Sequence, residues 1–519
     1  MRCDVALIGM GPVGAAAAIF FAHAGISVIA FDRDKEVYGL PRAVSMDGEV
    51  VRAFQRIGLG DEVDNLLQPF RESDVAGFAN SRREMLFGRA FKPFGTNGWR
   101  DNAFFDQPEV DRYLRDKAAS HDNVEVFLGY EVESIECNSD RVTLAARAID
   151  GSEGKTVEAR YLLGCDGAAS FVRRTLDIGW HDLGYDHDWL VVDIVAKPGA
   201  TLPLETMQVC DPDRLCTFVR TKDPYRRWEF KLLPGETREE MERPERIREL
   251  LDSWTPRETY DIRRAVVYQF HAATAETWRT DRIFLAGDAA HQTPPFLGQG
   301  MNAGMRDVIN LAWKLPLVLD GIAEESLLDT YQSERDAHAQ DLVDWAVAIG
   351  KLMESLAAAE AAQRAGEPVP AVDAQQRSSG YGQGRAVPPL RDGVVCLDQV
   401  SDDGATGYLF SQPRVTDASG REFLLDELLG PGFAIVGLSP ADIELGESAQ
   451  KILSRVSGRA LSLEGLTLTQ GHWDRVFDVA PAVIVRPDRY LYGHVEPGSV
   501  SLDDLLAGLA RKLRLKDFE

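Results

Sequence analysis

The N-terminal 32 residues carry the sequence pattern that most restricts the fold of this chain. An apolar strand runs into a GxGxxG motif at Gly9, Gly11 and Gly14, and an apolar helix follows it. A second strand then ends at Asp32, about 20 residues after the glycines, where dinucleotide-binding βαβ units place an acid against a ribose hydroxyl. The first glycine permits the turn, the second admits a pyrophosphate and the third lets helix and strand pack closely. The pattern predicts a Rossmann-like dinucleotide-binding domain.

A second strand-turn-helix segment occupies residues 282–314. Its apolar run predicts a buried strand, and Gly287 ends that strand so that Asp288 lies at the rim of a sheet. Gly298-Gln299-Gly300 then leads into a helix from about Met301. Glycines let a ligand approach the backbone, and a helix N-terminus attracts negative charge. The segment suits a cofactor that carries hydroxyls and a pyrophosphate, although an ordinary turn punctuated by glycines is the alternative.

Composition excludes several classes of protein. A chain of 519 residues is too long for one core, so two or three domains are expected. The net charge of −25, without any basic block, argues against a nucleic-acid partner. The six cysteines are scattered without CxxC or metal-ligand spacing, which predicts a reduced, cytoplasmic protein without a metal site. No apolar run approaches the roughly 18 residues of a membrane span, and the chain enters a strand directly rather than through a signal peptide.

Two further segments bear on the choice of dinucleotide. A nicotinamide dehydrogenase would continue with more βα units, whereas this chain continues with Pro41-Arg42-Ala43-Val44, in which Arg42 either neutralises a phosphate or is solvated. Farther along, a strand ends at Gly164-Cys165-Asp166-Gly167, with Arg173 and Arg174 after it. This is a second place where a strand runs into a glycine turn that carries a carboxylate, here Asp166.

The three glycine segments, in this order and spacing, resemble those of the single-component FAD-dependent aromatic hydroxylases, of which p-hydroxybenzoate hydroxylase is the prototype. The matching motifs are GxGxxG at Gly9, the DG segment at Asp166 and the GD segment at Asp288, and the match spans about residues 1–350. Within that family the chain is most similar to the 3-(3-hydroxyphenyl)propionate hydroxylases. The segments that carry this closer likeness are Pro41-Arg-Ala-Val44, Arg226-Arg-Trp-Glu-Phe230, Val267-Tyr-Gln-Phe-His-Ala272 and Pro294-Pro-Phe296.

The resemblance and the strand pattern together predict a mixed α/β and α+β architecture. A Rossmann-like FAD-binding domain is expected over residues 1–180 and 273–365, with an antiparallel substrate-binding sheet over 181–272. Residues 366–389 have linker composition. Residues 390–519 resemble a thioredoxin-like α/β domain, but without a CxxC motif disulfide exchange is not expected. Packing, solubility or homodimer formation is its expected role.

The resemblance also implies which residues contact FAD. The three glycines would bind the pyrophosphate, Asp32 the adenosine ribose and Asp288 the ribitol chain. The helix opening at 298–302 would face the pyrimidine edge of the isoalloxazine, and the Asp166 segment is associated with both FAD and the nicotinamide cofactor. The predicted FAD contacts are Gly9, Gly11, Pro12, Gly14, Asp32, Arg33, Arg42, Gln107, Asp166, Asp288, Pro295, Gly298, Gly300, Met301 and Asn302.

Four polar residues are candidates for catalysis. Arg227, Tyr268 and His271 fall on predicted strands of the substrate sheet, where each is either a substrate contact or an ordinary strand residue. His271 could act as general base for a phenol because imidazole titrates near neutrality, or it could be a core histidine. Asp47 follows the Arg42 segment and either approaches the active site or caps a helix.

The reaction implied by the resemblance is the hydroxylation of a phenol. NADH or NADPH would reduce FAD, O2 would add at the flavin C4a to give a hydroperoxide, and the terminal oxygen would be transferred to an electron-rich ring carbon. The protein would exclude water and help to ionise the phenol, because phenolate is the better nucleophile. One alternative is a tailoring oxygenase or epoxidase that acts on a larger polycyclic aromatic. Another is a non-catalytic, dinucleotide-binding redox sensor.

Overall fold

The computed structural model of the protein describes residues 1–71, 74–371, 387–401 and 404–518. One layer is an eight-stranded sheet in which Arg2–Ile8 lies centrally and pairs in parallel with a strand on each side. Its residues Val5, Ala6 and Leu7 are buried, as expected for a parallel sheet covered by helices. From one edge the main order is Arg279–Thr280, Ile283–Leu285, Gly154–Gly164, Arg2–Ile8, Val28–Asp32 and Val124–Leu128, while Val142–Ala148 pairs with Gly154–Gly164 and with Tyr130–Cys137.

Three helices surround the glycine motif of this sheet. Pro12–His23 begins directly after Gly11 with a proline in its first turn, where the fixed φ of proline suits a helix start. The helix is buried along most of its length and packs against Gln107–Ala119 and Gly300–Leu319. The βαβ unit predicted from the first 32 residues is therefore confirmed.

A second eight-stranded sheet lies beside the first and is mostly antiparallel. Two of its strands, Val75–Ala79 and Met85–Ala90, come from the range predicted as FAD-binding domain, so the predicted range 181–272 for this sheet is too narrow. Local sequence pattern could not reveal this, because the join is a parallel pairing with a strand far along the chain. The order is His291–Gln292, Tyr260–Ala275, Trp180–Ala196, Tyr225–Lys231, Cys216–Arg220, Thr206–Val209, Val75–Ala79 and Met85–Ala90.

Short elements complete the two layers. Ser45–Asp47 pairs with Asn102–Phe104, which also pairs with Gln68–Pro69. Ser45, Asn102 and Phe104 of this small sheet line the cavity that is described below. The short helices are Gly48–Arg56, Gly60–Asp64, Phe171–Thr175, Arg238–Met241 and Pro244–Asp252.

A helix of 36 residues, Thr330–Ala365, braces both sheets. Its first half packs against the Gly300–Leu319 helix, and Val343, Ile349 and Met353 share an apolar cluster with Trp189 of the second sheet. The sequence predicts a helical tract from Ser326 to about Ala362, and the structure confirms it as this helix. Much of the predicted linker, residues 372–386, lies outside the described residues.

The C-terminal part forms a further α/β unit around a four-stranded sheet. Ala434–Gly437 pairs in parallel with Arg459–Ser462 across the helix Glu447–Arg455. The closing helix that the sequence predicts over Leu502 to Leu513 is observed as Leu502–Lys512. The sheet order is Arg459–Ser462, Ala434–Gly437, Ala482–Val485 and Leu491–His494; a three-stranded sheet of Glu422–Leu424, Arg414–Thr416 and Thr467–Gln470 and the helices Leu425–Leu429 and Leu502–Lys512 accompany it.

Buried ion pairs join the C-terminal unit to the rest of the protein. Arg486 donates hydrogen bonds to Glu334 of the long helix at 2.7 Å and to Asp488 at 2.6 Å. Lys314 lies 2.9 Å from the same Glu334 carboxylate. Burial alone would raise the pKa of Glu334, but the charges of Arg486 and Lys314 outweigh it and lower the pKa to about 2. A second buried pair, Arg52 with Asp426, crosses the same interface.

Across the described ranges, no helix is both long enough and apolar enough to traverse a bilayer.

Candidate active site

A cavity of about 350 Å³ lies between the two eight-stranded sheets. Gly11 and Pro12 of the N-terminal motif line it from one side, and Asp288 of the second glycine segment lines it as well. The wall across from them belongs to the antiparallel sheet and includes Gln208 and Glu229. The two glycine segments predicted to grip one ligand therefore do meet at one cavity.

The three motif glycines have three different surroundings. Gly9 has φ of +95°, which L side chains rarely adopt, and a methyl group there would collide with the Cys165 carbonyl oxygen. A methyl group on Gly14 would collide with the Gly9 carbonyl oxygen, so helix and strand can pack this closely only with glycine. A methyl group on Gly11 would meet nothing within 4 Å. The open side of Gly11 faces the cavity, as the motif requires for a pyrophosphate.

Asp32 lies at the end of its strand, and its carboxylate is hydrogen-bonded to other residues of the protein. Its Oδ2 accepts hydrogen bonds from the main-chain N–H of Met10 at 2.6 Å and from Arg115 at 3.0 Å. Arg115 also donates to the Met10 carbonyl oxygen at 2.6 Å, so it fixes the glycine loop from outside. Arg115 could not be recognised from the sequence, because an arginine within a helix belongs to no motif. Arg33 is exposed and does not line the cavity.

A polar clamp holds the Arg42 segment at the cavity. Gln107 accepts hydrogen bonds from the main-chain N–H groups of Arg42 and Ala43, both at 2.7 Å. Arg227 donates to the carbonyl oxygens of Pro41 and Arg42 at 2.8 and 2.6 Å, and it is paired with Asp193 at 2.7 Å. Both Gln107 and Arg227 line the cavity, but their hydrogen bonds go to the chain itself. They position Arg42, whose side chain is exposed to the cavity.

Asp288 presents a carboxylate to the cavity. Its side chain is accessible from the cavity yet enclosed by protein on the other sides, and this enclosure raises its pKa, against the opposing charges of His291 and Arg42. Gly298, with φ of +63°, turns the chain so that Gly300 and Met301 line the cavity at the start of the Gly300–Leu319 helix. Pro295 lines it from the turn before.

Asn302 and Asp47 do not line the cavity. The Asn302 side chain accepts a hydrogen bond from the Asp47 main-chain N–H at 3.2 Å and donates to the Gly298 carbonyl oxygen at 3.1 Å. The Asp47 carboxylate accepts from the Val50 N–H at 3.1 Å and is paired with buried Arg306. Asp47 therefore caps the helix Gly48–Arg56, which is the second of the two roles predicted for it, and its carboxylate oxygens are used inside the protein. A catalytic role of Asp47 stays a prediction.

Asp166 closes its own loop. One carboxylate oxygen accepts from the Ser170 hydroxyl at 2.6 Å and the other from the Val172 N–H at 3.0 Å. Its neighbours Cys165 and Gly167 line the cavity instead. The carboxylate organises the turn that presents those neighbours, and a direct contact of Asp166 with a cofactor stays a prediction.

The structure places the other catalytic candidates outside the cavity. The imidazole of His271 is exposed near the end of the long strand Tyr260–Ala275 and is not among the residues that line the cavity, so its role as the general base stays a prediction without structural support. Tyr268, half-buried on the same strand, is hydrogen-bonded to Arg264 and also lies outside the lining. Burial raises the pKa of its phenol, which keeps it protonated. Tyr260–Ala275 is a 16-residue strand that extends beyond the cavity. Only the register of this strand in the sheet shows which of its side chains face the cavity, and the sequence does not give that register.

Replacing His271 by glutamine is expected to leave hydroxylation at the wild-type rate. The imidazole is not among the residues that line the cavity, so proton transfer to a ligand inside it is not expected to depend on His271. Steady-state turnover of substrate over pH 6 to 9 checks this, and a loss of about 10²-fold or more, the scale of a missing general base, would restore the original assignment.

The sheet wall also carries polar residues that were not predicted from the sequence. Gln208 accepts a hydrogen bond from the Thr217 hydroxyl at 2.7 Å, and both line the cavity with Thr206 and Glu229. Glu229 is two residues from Arg227, and alternate residues of a strand share a face. The spacing of Glu229 from Arg227 was the sequence signal that could have identified Glu229 as a cavity residue. Both residues lie in the Arg226–Phe230 segment that carries the family likeness.

These surroundings fit FAD. Gly11 is open toward the cavity, the helix start at Gly300 offers main-chain N–H groups to an anion, and Asp288 offers a hydroxyl acceptor. Within the described residues no group of three or more metal-ligating side chains occurs. The fold and the cavity thus define an FAD-binding oxidoreductase with a second sheet closing over its cofactor site.

Comparison with known proteins identifies the family. A family model described as FAD binding domain matches residues 2–346, and one described as HcaD C-terminal domain matches residues 407–511. The chain is 36% identical over 447 residues to a 3-(3-hydroxy-phenyl)propionate/3-hydroxycinnamic acid hydroxylase of Klebsiella pneumoniae (strain 342), covering 84% of this chain and 78% of that protein. A protein of the same description from Escherichia coli (strain SMS-3-5) is 35% identical over 448 residues, with the same coverage. The chain belongs to the family of FAD-dependent aromatic hydroxylases.

Solved structures agree with this fold. The ternary complex of aklavinone-11 hydroxylase with FAD and aklavinone superposes with a TM-score of 0.80 at 26% identity, covering 98% of this chain and 99% of the other. The flavin-dependent monooxygenase PieE, in complex with FAD and substrate, has a TM-score of 0.79 at 20% identity, covering 99% of each chain, and supports the fold alone.

Proposed function

We propose that this hydroxylase uses NAD(P)H and O2 to hydroxylate a small phenolic acid, of which a hydroxyphenylpropionate is the best example. The observation that carries the proposal is one cavity with cofactor-type residues on one wall and polar sheet residues on the other. The similarity to the Klebsiella and Escherichia hydroxylases over 84% of the chain supports this substrate class.

The chain's own residues would bind the cofactor and enclose the reaction. Gly11 and the helix start at Gly300 would hold the pyrophosphate, Asp288 would accept hydrogen bonds from the ribitol hydroxyls, and Arg42 would neutralise negative charge. Bound FAD supplies the chemistry that activates O2 with electrons from NAD(P)H. The two sheets exclude water from the ring that reacts, and the Gln107 and Arg227 clamp keeps Arg42 in place.

Cavity size favours a single-ring substrate. About 350 Å³ has to accommodate the flavin ring system as well as the substrate, and ligand pockets commonly span about 300–1,000 Å³. A tailoring oxygenase that acts on a polycyclic aromatic is the second candidate, supported by the similarity to aklavinone-11 hydroxylase along 98% of the chain.

A substrate panel distinguishes these candidates. Purified holoenzyme should be yellow, and 3-(3-hydroxyphenyl)propionate should accelerate NAD(P)H oxidation with O2 uptake and a hydroxylated product identified by mass spectrometry. Phenylpropionate, which lacks the hydroxyl, serves as the matched control and should yield no product. Stimulation by polycyclic phenols alone would favour the second candidate, while bound FAD without turnover on any phenol would favour a redox sensor.

The C-terminal unit is proposed to be thioredoxin-like. The support is its sheet order, in which a parallel pair linked by a helix is continued by two antiparallel strands and followed by a terminal helix. Its buried ion pairs with the long helix support a packing role. A homodimer and a cytoplasmic location stay predictions.

A further inference from the structure

The Glu229 carboxylate on the sheet wall forms no hydrogen bond or ion pair with the described residues. Glu229 lies in the strand Tyr225–Lys231, lines the cavity and is 4% exposed. Its strand neighbours in register are Thr217 on one side and Val191 on the other. Among the described residues no hydrogen bond to its side chain occurs, although buried carboxylates are normally paired or hydrogen-bonded.

The charged groups around Glu229 are already committed elsewhere. Arg227, two residues away on the same face, donates to Asp193 and to main-chain carbonyl oxygens. Arg264, on the strand Tyr260–Ala275, donates to the Pro41 carbonyl oxygen and to Tyr268. These cations act on Glu229 through space, with Asp193 opposing them. The free oxygens of Glu229 therefore remain available to a ligand in the cavity.

The cavity offers few other proton acceptors. Asp288 lies in the glycine segment that fits the cofactor, and Gln208 and Thr217 are hydrogen-bonded to each other. Tyr268 and His271 lie outside the lining. On the sheet wall, Glu229 is the ionisable group left to meet the substrate among the described lining residues.

We propose that Glu229 accepts the hydrogen bond of the substrate's phenolic hydroxyl and takes its proton as the ring is attacked. This inference rests on the proposed function and adds the residue that activates the ring. The O–H bond of the phenol breaks, the proton passes to a Glu229 carboxylate oxygen and the electron pair stays on the phenolate. The net charge of the cavity is unchanged, and the same proton returns to the product hydroxyl before release.

Electrostatics supports this assignment. Burial, with a further contribution from Asp193, raises the pKa of Glu229 to about 7, against the opposing charges of Arg227 and Arg264. A general base works best with a pKa near the operating pH. Because the basic form is the ionised one, binding of a phenol through this hydrogen bond should strengthen as pH rises through about 7.

The test compares Glu229→Gln with wild-type holoenzyme, using two probes. Binding of 3-(3-hydroxyphenyl)propionate and of phenylpropionate to the oxidised holoenzyme is followed by flavin absorbance from pH 5.5 to 8.5. In the wild type, affinity for the hydroxylated probe should rise with pH more steeply than affinity for phenylpropionate. In Glu229→Gln this extra pH dependence should vanish, affinity for phenylpropionate should be unchanged, and kcat should fall by about 10²-fold or more.

Two further variants keep the result interpretable. Glu245→Gln makes the same chemical change at an exposed helix position and should behave as wild type. Glu229→Asp keeps the carboxylate and should retain part of the pH dependence. FAD content and Tm are measured for each variant, and loss of FAD from both Glu229 variants would assign Glu229 a structural role and overturn the proposal.

The remaining outcomes are distinct. If Glu229→Gln weakens both probes equally, or keeps the wild-type pH profile and kcat, the inference is wrong while the hydroxylase function stands. If wild-type holoenzyme forms no hydroxylated product from any phenol, the proposed function itself is wrong and the inference goes with it.

Discussion

Gly14→Ala should yield protein that is colourless and poorly folded. The added methyl would collide with the Gly9 carbonyl oxygen, a backbone atom that cannot turn away, so strand and helix would have to separate. Overpacking costs about 1–3 kcal/mol, occasionally more, and here it deforms the pyrophosphate loop itself. FAD content by absorbance and Tm by circular dichroism measure the two effects.

Gly11→Ala is the matched control for that change. The same methyl at Gly11 meets no protein atom within 4 Å and points toward the cavity. The apoprotein should therefore keep the wild-type Tm while its affinity for FAD falls. A yellow, fully stable Gly14→Ala protein would refute the packing argument, and unimpaired FAD binding by Gly11→Ala would refute the placement of the pyrophosphate.

Arg486→Met should destabilise the protein by about 3–5 kcal/mol, the cost of removing one partner from a buried ion pair. Glu334 and Asp488 would lose their shared cation inside the interface between the long helix and the C-terminal unit. Denaturant unfolding near pH 7 measures the loss, and a cost below 1 kcal/mol would contradict the view that this pairing secures the interface. Arg246→Met, which breaks half-exposed pairs with Glu236 and Glu249, should cost only about 0–1 kcal/mol.

The effect of Arg486→Met should depend on pH with a defined sign. The folded-state pKa of Glu334 is lowered to about 2, from an ordinary value of about 4.3, so its ionised form stabilises the fold above the ordinary value. That stabilisation is lost as pH falls toward 2. The difference in stability between wild type and variant should therefore shrink between about pH 4 and pH 2.

Local sequence signals brought part of the cofactor side to the cavity: Gly11 and Asp288 line it, whereas Arg33 and Asn302 do not. The glycine turns at Gly9 and Gly287 are set by neighbouring residues, so the motif alone specifies strand, turn and helix. The substrate side was harder, because it depends on which face of each strand meets the cavity. His271 and Asp47 were predicted from residue type, whereas Glu229 is proposed from its register in the sheet and its place on the cavity wall.

Long-range pairing was the other limit. Val75–Ala79 joins the second sheet through a parallel pairing with Thr206–Val209, and the intervening chain returns to the first sheet before that partner is reached. The sequence between Arg42 and Gln107 carries no sign of this excursion. Arg115 was missed for a similar reason, since its partners Asp32 and Met10 lie far away in sequence.

The second sheet is built from two separate stretches of the chain, and this limits how the enzyme can be recombined with its relatives. A chimera that exchanges only residues 180–292 would pair foreign strands with the native Val75–Ala79 and Met85–Ala90. Six strands of the sheet would then come from one parent and two from the other. To transfer substrate specificity, a chimera has to exchange Val75–Ala79 and Met85–Ala90 together with residues 180–292.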